Sequence, residues 1–368
     1  MKIVLAGDWH SNVHERPMAM ALERLGHTVV PFEWHTYLAS RQKGLTAVPS
    51  TILRKAQSKY LVGPVVRRLN AGLLDTVGRA QPDLLFVYRG THVLPNTLGE
   101  IRSLSPRTLL VGYNNDDPFA PGQPRWPWRH FIAAIPHYDH VLAYRRRNID
   151  DFAAAGARST GLLLPWFVPE VHHPRTLTHE ERTRYGCDAV FVGHFEDDRR
   201  LEALEALAAA HVDVRIFGPG RGFRGHDWNT RLTKSDALRH LAPTSLVWDA
   251  EYVKALSGAK LALCFLSKRN RDTYTRRCFE IPATRTLLMS EYSDELSAMF
   301  REGVEADYFR TPDELVGKVR EYLADDERRL RVAGSGYDRA YADGHDVDAR
   351  MRTMLRALPN CDLAQQPG

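Results

Sequence analysis

The sequence contains few cysteines, and none has the spacing of a metal site or a disulfide scaffold. Only four cysteines occur in 368 residues, at positions 187, 264, 278 and 361, and no two form a CxxC pair. A disulfide-stabilised small domain or a zinc ribbon needs more cysteines at closer spacing. The scarcity excludes both classes and indicates a reducing compartment, for which the cytoplasm is our default prediction.

Long hydrophobic runs are also missing. No stretch approaches the roughly 18 consecutive apolar residues of a membrane-spanning helix. The first ten residues, MKIVLAGDWH, reach Asp8 after a short apolar stretch, so we interpret them as a first β-strand and not as a signal peptide. The 25 glycines and 21 prolines are too few and too scattered for a fibrous or disordered chain.

Neither sign of charge dominates. Fifty Lys and Arg residues against 45 Asp and Glu residues give a net charge of +5. This mildly basic balance is compatible with phosphate-bearing ligands but does not by itself indicate a nucleic-acid-binding protein. Hydrophobic residues make up 43% of the chain, which is enough for a buried core, and the length allows two domains of about 150 residues each.

Short apolar or β-branched runs alternate with amphipathic stretches along the chain. This alternation predicts parallel sheets covered by helices on both faces, with right-handed crossovers. The predicted strands cover residues 2–7, 27–32, 83–88, 108–113, 140–144, 189–193, 212–218, 260–266, 286–290 and 306–309. The predicted helices cover residues 15–25, 51–79 with a break near Pro64, 95–104, 148–155 and most of 325–358. Another helix is predicted to begin at Thr311, with Pro312 in its first turn and Glu314 closing a capping box.

The alternation stops between residues 164 and 187, where three prolines occur and apolar periodicity is weak. We therefore predict two doubly wound domains. The amino-terminal domain covers 1–165, a linker covers 166–186, and the carboxyl-terminal domain covers 187–340. A terminal helix and tail cover 341–368.

A basic loop follows the predicted strand 260–266. Ligands of open α/β sheets bind beyond the carboxyl ends of the strands, so this loop is a candidate site. It combines one acid, Asp272, with the cations Lys268, Arg269, Arg271, Arg276 and Arg277. With a helix predicted to begin near Thr275, its free N–H groups and the guanidinium groups suit a diphosphate. An ordinary solvated basic loop is the alternative interpretation.

Glu280 follows in the sequence FEIPA, in the first or second turn of that predicted helix. A carboxylate at this position is suited to accept both hydroxyls of a ribose. The alternative is a glutamate that only complements the helix dipole. Asp272 lies eight residues earlier, which gives an Asp-x7-Glu spacing.

These residues resemble the carboxyl-terminal domain of GT-B glycosyltransferases, and in particular the branch related to the spore-maturation CgeB proteins. The resemblance covers roughly residues 187–358. It rests on RCFEIPA at 277–283, LLMSE at 287–291, TPDEL at 311–315 and GHDVDARMRTML at 344–355. In the amino-terminal half it is limited to architecture and to the sequence Asp116-Asp117-Pro118.

The resemblance implies a GT-B fold with two Rossmann-like domains facing a central cleft. It implies that the carboxyl-terminal domain binds a nucleotide-sugar donor, that the amino-terminal domain binds the acceptor, and that no metal is required. Many relatives carry a Glu-x7-Glu motif. Glu280 matches its second position, which holds the donor ribose, and Asp272 matches its first, which faces the donor sugar. Two departures are the shorter acid at 272 and Thr284-Arg285, where relatives commonly have glycine.

The resemblance further implies sugar transfer with retention of the anomeric configuration. In this interpretation Lys268, Arg276 and Arg277 neutralise the diphosphate. The sequence Val192-Gly193-His194 at a strand end resembles the loop that approaches the donor phosphates. Gly218 opens a second glycine-rich loop, which is either part of the donor site or an ordinary turn.

Two loops of the amino-terminal half are candidates for the acceptor side. Asp8, Trp9 and His10 follow the first predicted strand. A later strand is followed by Asn115, Asp116 and Asp117. His10, Asp116 or Asp117 could deprotonate an acceptor hydroxyl within hydrogen-bond reach. Helix capping by the two aspartates and a structural role for His10 are the alternatives.

Three other functions remain open at the sequence level. The acceptor could be a small molecule, a glycan or a modified base in DNA, and the last would show a steep salt dependence of binding. A non-catalytic module would bind a nucleotide-sugar without transferring the sugar. Asp8-x-His10 also resembles the opening motif of metallophosphoesterases, but the later motifs of that family are missing.

Overall fold

The structure is a computed structural model that describes residues 1–38, 55–222 and 227–358. It divides into two α/β units. Unit 1 contains Met1–Leu164 together with the chain from Val347 onward, and unit 2 contains Pro165–Asp346. The residues that we predicted as a linker, 166–186, therefore lie in unit 2, and the terminal helix packs in unit 1.

Unit 1 is built on a six-stranded sheet in which every pair of neighbours is parallel. The strand order is β2-β1-β3-β4-β5-β6. Because β1 lies between β2 and β3, the order reverses there, and the switch point lies between β1 and β3. The strands are β1 Lys2–Gly7, β2 Thr28–Glu33, β3 Leu84–Tyr88, β4 Leu109–Asn114, β5 His140–Ala143 and β6 Thr160–Leu162.

The helices of unit 1 pack on this sheet through their apolar faces. Val4 and Leu85 of the sheet share one buried cluster with Leu69, Ile101 and Phe152 of the helices. The helices are α1 Glu15–Arg24, α2 His35–Leu38, α3 Pro64–Ala80, α4 Pro95–Leu104, α5 Arg129–Ala134, α6 Arg147–Ala154 and, from the end of the chain, α15 Val347–Ala357. The predicted helix 51–79 begins at positions outside the described residues, residues 55–60 are helical, and α3 starts at the predicted break.

Unit 2 has a five-stranded parallel sheet. Its strand order is β11-β10-β9-β7-β8, which places the switch point between β7 and β9. The strands are β7 Cys187–Val192, β8 Val214–Phe217, β9 Ala259–Cys264, β10 Leu287–Glu291 and β11 Asp307–Phe309.

The helices of unit 2 begin inside the segment that we predicted as a linker. Helix α7 lies there and starts with a complete capping box formed by Thr178 and Glu181, which the sequence analysis missed. The helices are α7 His179–Tyr185, α8 Arg200–Ala209, α9 Trp228–Leu232, α10 Asp249–Gly258, α11 Arg277–Ala283, α12 Asp294–Met299, α13 Pro312–Ala324 and α14 Asp326–Ala342.

The ten predicted strands are all present, with ends displaced by at most two residues. The prediction missed β6, a three-residue strand at the sheet edge whose residues are only half-buried, so it has no run of apolar residues to mark it. The helix predicted near Thr275 begins at Arg277.

The capping box predicted at the start of α13 forms only in part. The Thr311 hydroxyl accepts a hydrogen bond from the Glu314 N–H at 3.1 Å, as predicted. The Glu314 carboxylate, however, accepts from the Arg310 N–H at 2.7 Å, and not from Thr311. An ion pair between the Glu314 carboxylate and the Arg310 guanidinium holds it one residue further back.

Three of the four cysteines lie in the described part of the chain. Cys187, Cys264 and Cys278 are buried free thiols, and Cys361 lies outside the described residues. No helix of the described part combines the length and hydropathy that crossing a membrane requires.

Candidate functional site

The loops after β7 and β9 flank the switch point of unit 2. Gly193 and His194 follow β7, and the basic loop from Lys268 to Arg276 precedes α11. Backbone strain occurs in this loop, where Arg271 has a φ of 51°, a left-handed conformation that non-glycine residues rarely adopt. Such strain is frequent at binding sites because the surrounding structure must hold it in place.

The two predicted glycines, Gly193 and Gly218, are in direct contact. A methyl group added at Gly218 would collide with the Gly193 carbonyl oxygen, so only glycine fits at this crossing of the β7 and β8 ends. The same carbonyl accepts a hydrogen bond from the Trp228 indole N–H at 2.8 Å. Trp228 is completely buried, and it fixes the path of the loop after β7.

Arg277 lies against the end of β7. A Cβ built at Gly193 would be 3.4 Å from the Arg277 Cζ and Nη1 atoms. The guanidinium also lies 6.0 Å from the centre of the Phe191 ring. Its Nε atom is buried without a hydrogen-bond partner, and within the described ranges no carboxylate forms an ion pair with it. Arg277 is thus a cation at the switch point that forms no ion pair within the described ranges. Burial opposes its charge, but the nearby Glu280 carboxylate helps to keep it charged and raises its pKa.

The other predicted cations are paired. Arg276 Nε lies 3.1 Å from Glu280 Oε1. The exposed Lys268 has its Nζ 3.3 Å from the Glu291 carboxylate. Of the three predicted diphosphate ligands, Arg277 is therefore the one that lies beside Gly193 and forms no ion pair with a described carboxylate.

Asp272 lies in the loop before α11. Its backbone N–H donates to the Ser267 carbonyl at 2.9 Å, which closes the loop on itself. His194 is exposed at the end of β7, and its carbonyl accepts a hydrogen bond of 2.6 Å from Arg200. The Arg200 guanidinium in turn forms a bidentate ion pair with the Asp198 carboxylate.

Glu280 is 4% exposed and is surrounded by polar side chains. The Tyr252 hydroxyl donates to Glu280 Oε2 at 2.8 Å. His172 Nε2 lies 3.5 Å from Glu280 Oε1. Burial and the neighbouring carboxylate raise the pKa of Tyr252 well above its usual value, so the hydroxyl stays protonated and remains a donor.

The sequence analysis missed Tyr252 and His172. Tyr252 lies on α10, and His172 lies in the segment 166–186 that we predict as a linker. The local signal in the sequence is limited to the pair His172-His173. Nothing local shows that either residue faces Glu280, because these contacts join distant parts of the chain.

In unit 1 the loops after β1 and β3 flank the switch point. Asp8, Trp9 and His10 follow β1, and Trp9 has a φ of 58°. The buried Glu15 holds this loop, since its carboxylate accepts from the Asp8 N–H at 2.9 Å. Burial raises the pKa of Glu15, whereas the loop N–H groups oppose that rise. His10 is exposed, with its ring 6.4 Å from the ring of His35.

The loop after β3 was not among the sequence candidates. Arg89 there has a φ of 68° and forms an ion pair of 2.8 Å with Asp116, which follows β4. The guanidinium also lies 5.4 Å from the centre of the Trp128 ring. His92 is part of the same loop, and burial lowers its pKa to about 4, so it is neutral near pH 7.

Polar residues at the end of β4 and just after it differ in whether their side chains find hydrogen-bond partners. Asp117 is buried and accepts hydrogen bonds from the Phe119 N–H and the Asn148 amide. No helix begins at Pro118, so these contacts close a turn and do not cap a helix. Asn114 Nδ2 and Asn115 Oδ1 are buried with no hydrogen-bond partner. Orphaned amide atoms at a strand end are typical of groups that a ligand satisfies.

No group of three or more His, Cys, Asp or Glu side chains in the described ranges is arranged to hold a metal ion.

Residues 199–356 match a family model described as glycosyl transferase-like. This range contains Gly218, Asp272, Arg277 and Glu280. No curated protein sequence matches the chain significantly. The matched range runs from α8 into α15, less than half of the chain, and over this range the sequence is similar to glycosyl transferases.

Solved structures resemble almost the whole chain. The sucrose-phosphate synthase of Thermosynechococcus elongatus superposes with a TM-score of 0.67 at 13% identity, covering 97% of this chain and 98% of that one. Anabaena HepE in complex with UDP-glucose gives 0.66 at 13% identity, over 97% and 100%. The α,α-trehalose 6-phosphate synthase of Burkholderia multivorans gives 0.60 at 12% identity, over 97% of each chain. At such low identity these likenesses show the fold, and the predicted GT-B fold of two Rossmann-like units is confirmed.

Proposed function

We propose that this protein transfers a sugar from a nucleoside-diphosphate sugar to an acceptor hydroxyl, and that unit 2 binds the donor. The observation that supports this most directly is the Arg277 guanidinium. It lies beside Gly193 at the switch point, no described acid pairs with it, and it is three residues before Glu280 on α11. A diphosphate against Gly193 would satisfy its orphaned Nε.

The chemistry needs a fixed cation at this position. When the bond between the sugar and the diphosphate breaks, negative charge grows on the leaving diphosphate. A guanidinium already held in place stabilises that charge more than it stabilises the ground state, and this difference lowers the barrier. Gly193 lets the phosphates approach the backbone closely, because a Cβ at this position would lie only 2.8 Å from the Cζ atom of the Phe191 ring.

Glu280 is the proposed contact of the donor ribose. A carboxylate accepts hydrogen bonds from hydroxyls, and Arg276 and Tyr252 keep this one in place. Anabaena HepE has been solved with UDP-glucose, so UDP-sugars are the first donor class that we propose here.

We propose further roles that follow from the resemblance. Asp272 faces the donor sugar, and unit 1 binds the acceptor. Of the three proposed bases, His10 is exposed, whereas Asp116 is paired with Arg89 and Asp117 is buried and bound by the Phe119 N–H and the Asn148 amide. This difference favours His10. The relationship to the CgeB branch remains a proposal that rests on the sequence of α11 and of the segments after it.

The experiment is a thermal-shift panel of UDP, dTDP, GDP, ADP and CMP with their common sugar conjugates. We compare the wild type with Glu280→Ala and with a matched control, Glu202→Ala, in which the lost carboxylate contacts only Arg199 on the surface of α8. A ligand at 100 times its dissociation constant adds about 2.7 kcal/mol of stability.

We expect one nucleoside diphosphate and its sugar conjugate to stabilise the wild type and the control but not Glu280→Ala. If no nucleotide stabilises the wild type, the proposed donor site is wrong. If all three proteins are stabilised equally, a nucleotide binds but Glu280 is not part of its site.

A further inference from the structure

Three side chains from three separate segments converge on the Glu280 carboxylate. Tyr252 comes from α10, Arg276 precedes α11, and His172 comes from the segment before α7. The carboxylate is 4% exposed and His172 is 1% exposed, so this cluster is shielded from solvent. Burying a charged carboxylate is costly unless hydrogen bonds compensate, and here all three neighbours are donors.

The tautomer of His172 can be assigned from its backbone contact. The Val168 N–H donates to His172 Nδ1 at 2.9 Å, so Nδ1 carries the lone pair. The ring proton must then be on Nε2, the nitrogen that lies 3.5 Å from Glu280 Oε1. A neutral His172 therefore presents an N–H to the carboxylate.

The two carboxylate oxygens are occupied unequally. Each oxygen of an ionised carboxylate has about two acceptor positions. At Oε1 these face Arg276 Nε and His172 Nε2. At Oε2 the described chain supplies a single donor, the Tyr252 hydroxyl. One acceptor position on Oε2 therefore remains for a ligand, which contrasts with the two ribose hydroxyls that the sequence analysis assigned to Glu280.

We propose that Tyr252 and His172 are positioning residues that fix the Glu280 carboxylate so that it accepts one hydroxyl of the donor ribose. This inference rests on the proposed function. It makes the site specific for ribonucleoside diphosphates through a single hydroxyl, and the analogue that lacks this hydroxyl loses the contact. Loss of the other hydroxyl has little effect.

If Tyr252 and His172 only stabilised the fold, the outcome would be different. In that case Tyr252→Phe would lower the stability of the protein, while the remaining folded protein would distinguish ribose from deoxyribose as the wild type does. The discrimination between the two sugars therefore separates positioning from structural support.

The test is calorimetric titration of UDP, 2′-deoxy-UDP and 3′-deoxy-UDP into the wild type, Tyr252→Phe and a control, Tyr292→Phe. The control also removes a tyrosine hydroxyl that donates to a carboxylate, that of Asp294, outside the cluster. If the panel above selects another diphosphate, its own deoxy analogues are used. A second pair of variants tests His172. His172→Leu removes the N–H donor, and His172→Gln replaces it with an amide N–H donor.

We expect one deoxy analogue to bind the wild type and the control at least tenfold more weakly than UDP, and the other within threefold. In Tyr252→Phe, the affinity for UDP should fall five- to thirtyfold, and the difference in affinity between the two deoxy analogues should disappear. His172→Leu should lose affinity for UDP and discrimination in the same way. His172→Gln should recover both in part.

Equal penalties for both deoxy analogues in the wild type would overturn the single-hydroxyl assignment. Unchanged affinity and discrimination in Tyr252→Phe would overturn the positioning role while leaving the proposed function intact. A wild type that binds no nucleotide would overturn the proposed function and this inference with it.

Discussion

At the residue scale, the side chains that share a loop differ sharply in what their charges can do. Arg276 pairs with Glu280 and Lys268 pairs with Glu291, whereas Arg277 lies beside Gly193 and forms no ion pair with a described acid. The sequence shows all three as equivalent cations. The direction in which each side chain points decides which of them can neutralise a ligand.

Replacing Arg277 should therefore impair catalysis more than loss of an ordinary surface charge. We expect Arg277→Met to lower kcat/KM for the donor by about 100- to 1000-fold, the order of one preorganised transition-state contact. Arg320→Met removes an exposed arginine of α13 and should leave kcat/KM unchanged. Steady-state kinetics measures both, and equal rates for the two variants would exclude Arg277 from the donor site.

At the element scale, helix α14 shows how one glycine can be required while its neighbour is not. Gly334 and Gly336 both disfavour a helix by their backbone freedom, yet the helix runs through both from Asp326 to Ala342. At Gly336 the helix crosses the backbone of the segment before β11, and an added methyl group would collide with the Glu305 carbonyl oxygen. At Gly334 an added methyl group would meet no atom within 4 Å.

The two positions give opposite predictions for the same substitution. Gly334→Ala should raise the free energy of unfolding by about 0.5–1 kcal/mol, because alanine loses less backbone freedom in a helix. Gly336→Ala should lower it by about 1–3 kcal/mol, because the methyl group forces the helix away from its neighbour. Urea denaturation of both variants measures the difference, and stabilisation by Gly336→Ala would show that this crossing is not tight.

At the scale of the whole molecule, two Rossmann-like units divide the proposed work. Unit 2 carries the donor candidates at its switch point between β7 and β9. Unit 1 has strained residues at its own switch point, where Trp9 and Arg89 adopt positive φ angles. The side-chain amide atoms of Asn114 and Asn115 that lack a partner lie at the end of β4, the strand next to β3. Each unit thus concentrates its unusual side chains where the fold places ligands.

If the Asp272 and Glu280 analogy holds, the transferred sugar keeps its anomeric configuration. We expect the coupling constant of the anomeric proton in the product to match that of the donor. Proton NMR of the product immediately after transfer, before mutarotation of any free sugar, makes the comparison. An inverted product would contradict the analogy and would direct attention to His10 as a base.

The amino-acid sequence by itself determined the class of fold, ten of the eleven strands in the described ranges and the location of Glu280 at the start of a helix. These features depend on periodicity, turn residues and caps, which act over a few neighbouring positions. The edge strand β6 was not predicted because its three half-buried residues do not form an apolar or alternating pattern.

Only the tertiary structure decided which residues meet. The sheet order places β7 beside β9 and β1 beside β3, and so it selects the loops that flank each switch point. Tyr252 and His172 reach Glu280 from other elements, and the segment predicted as a linker supplies one of them. Such contacts are fixed by the packing of distant segments, for which a local sequence pattern carries no information.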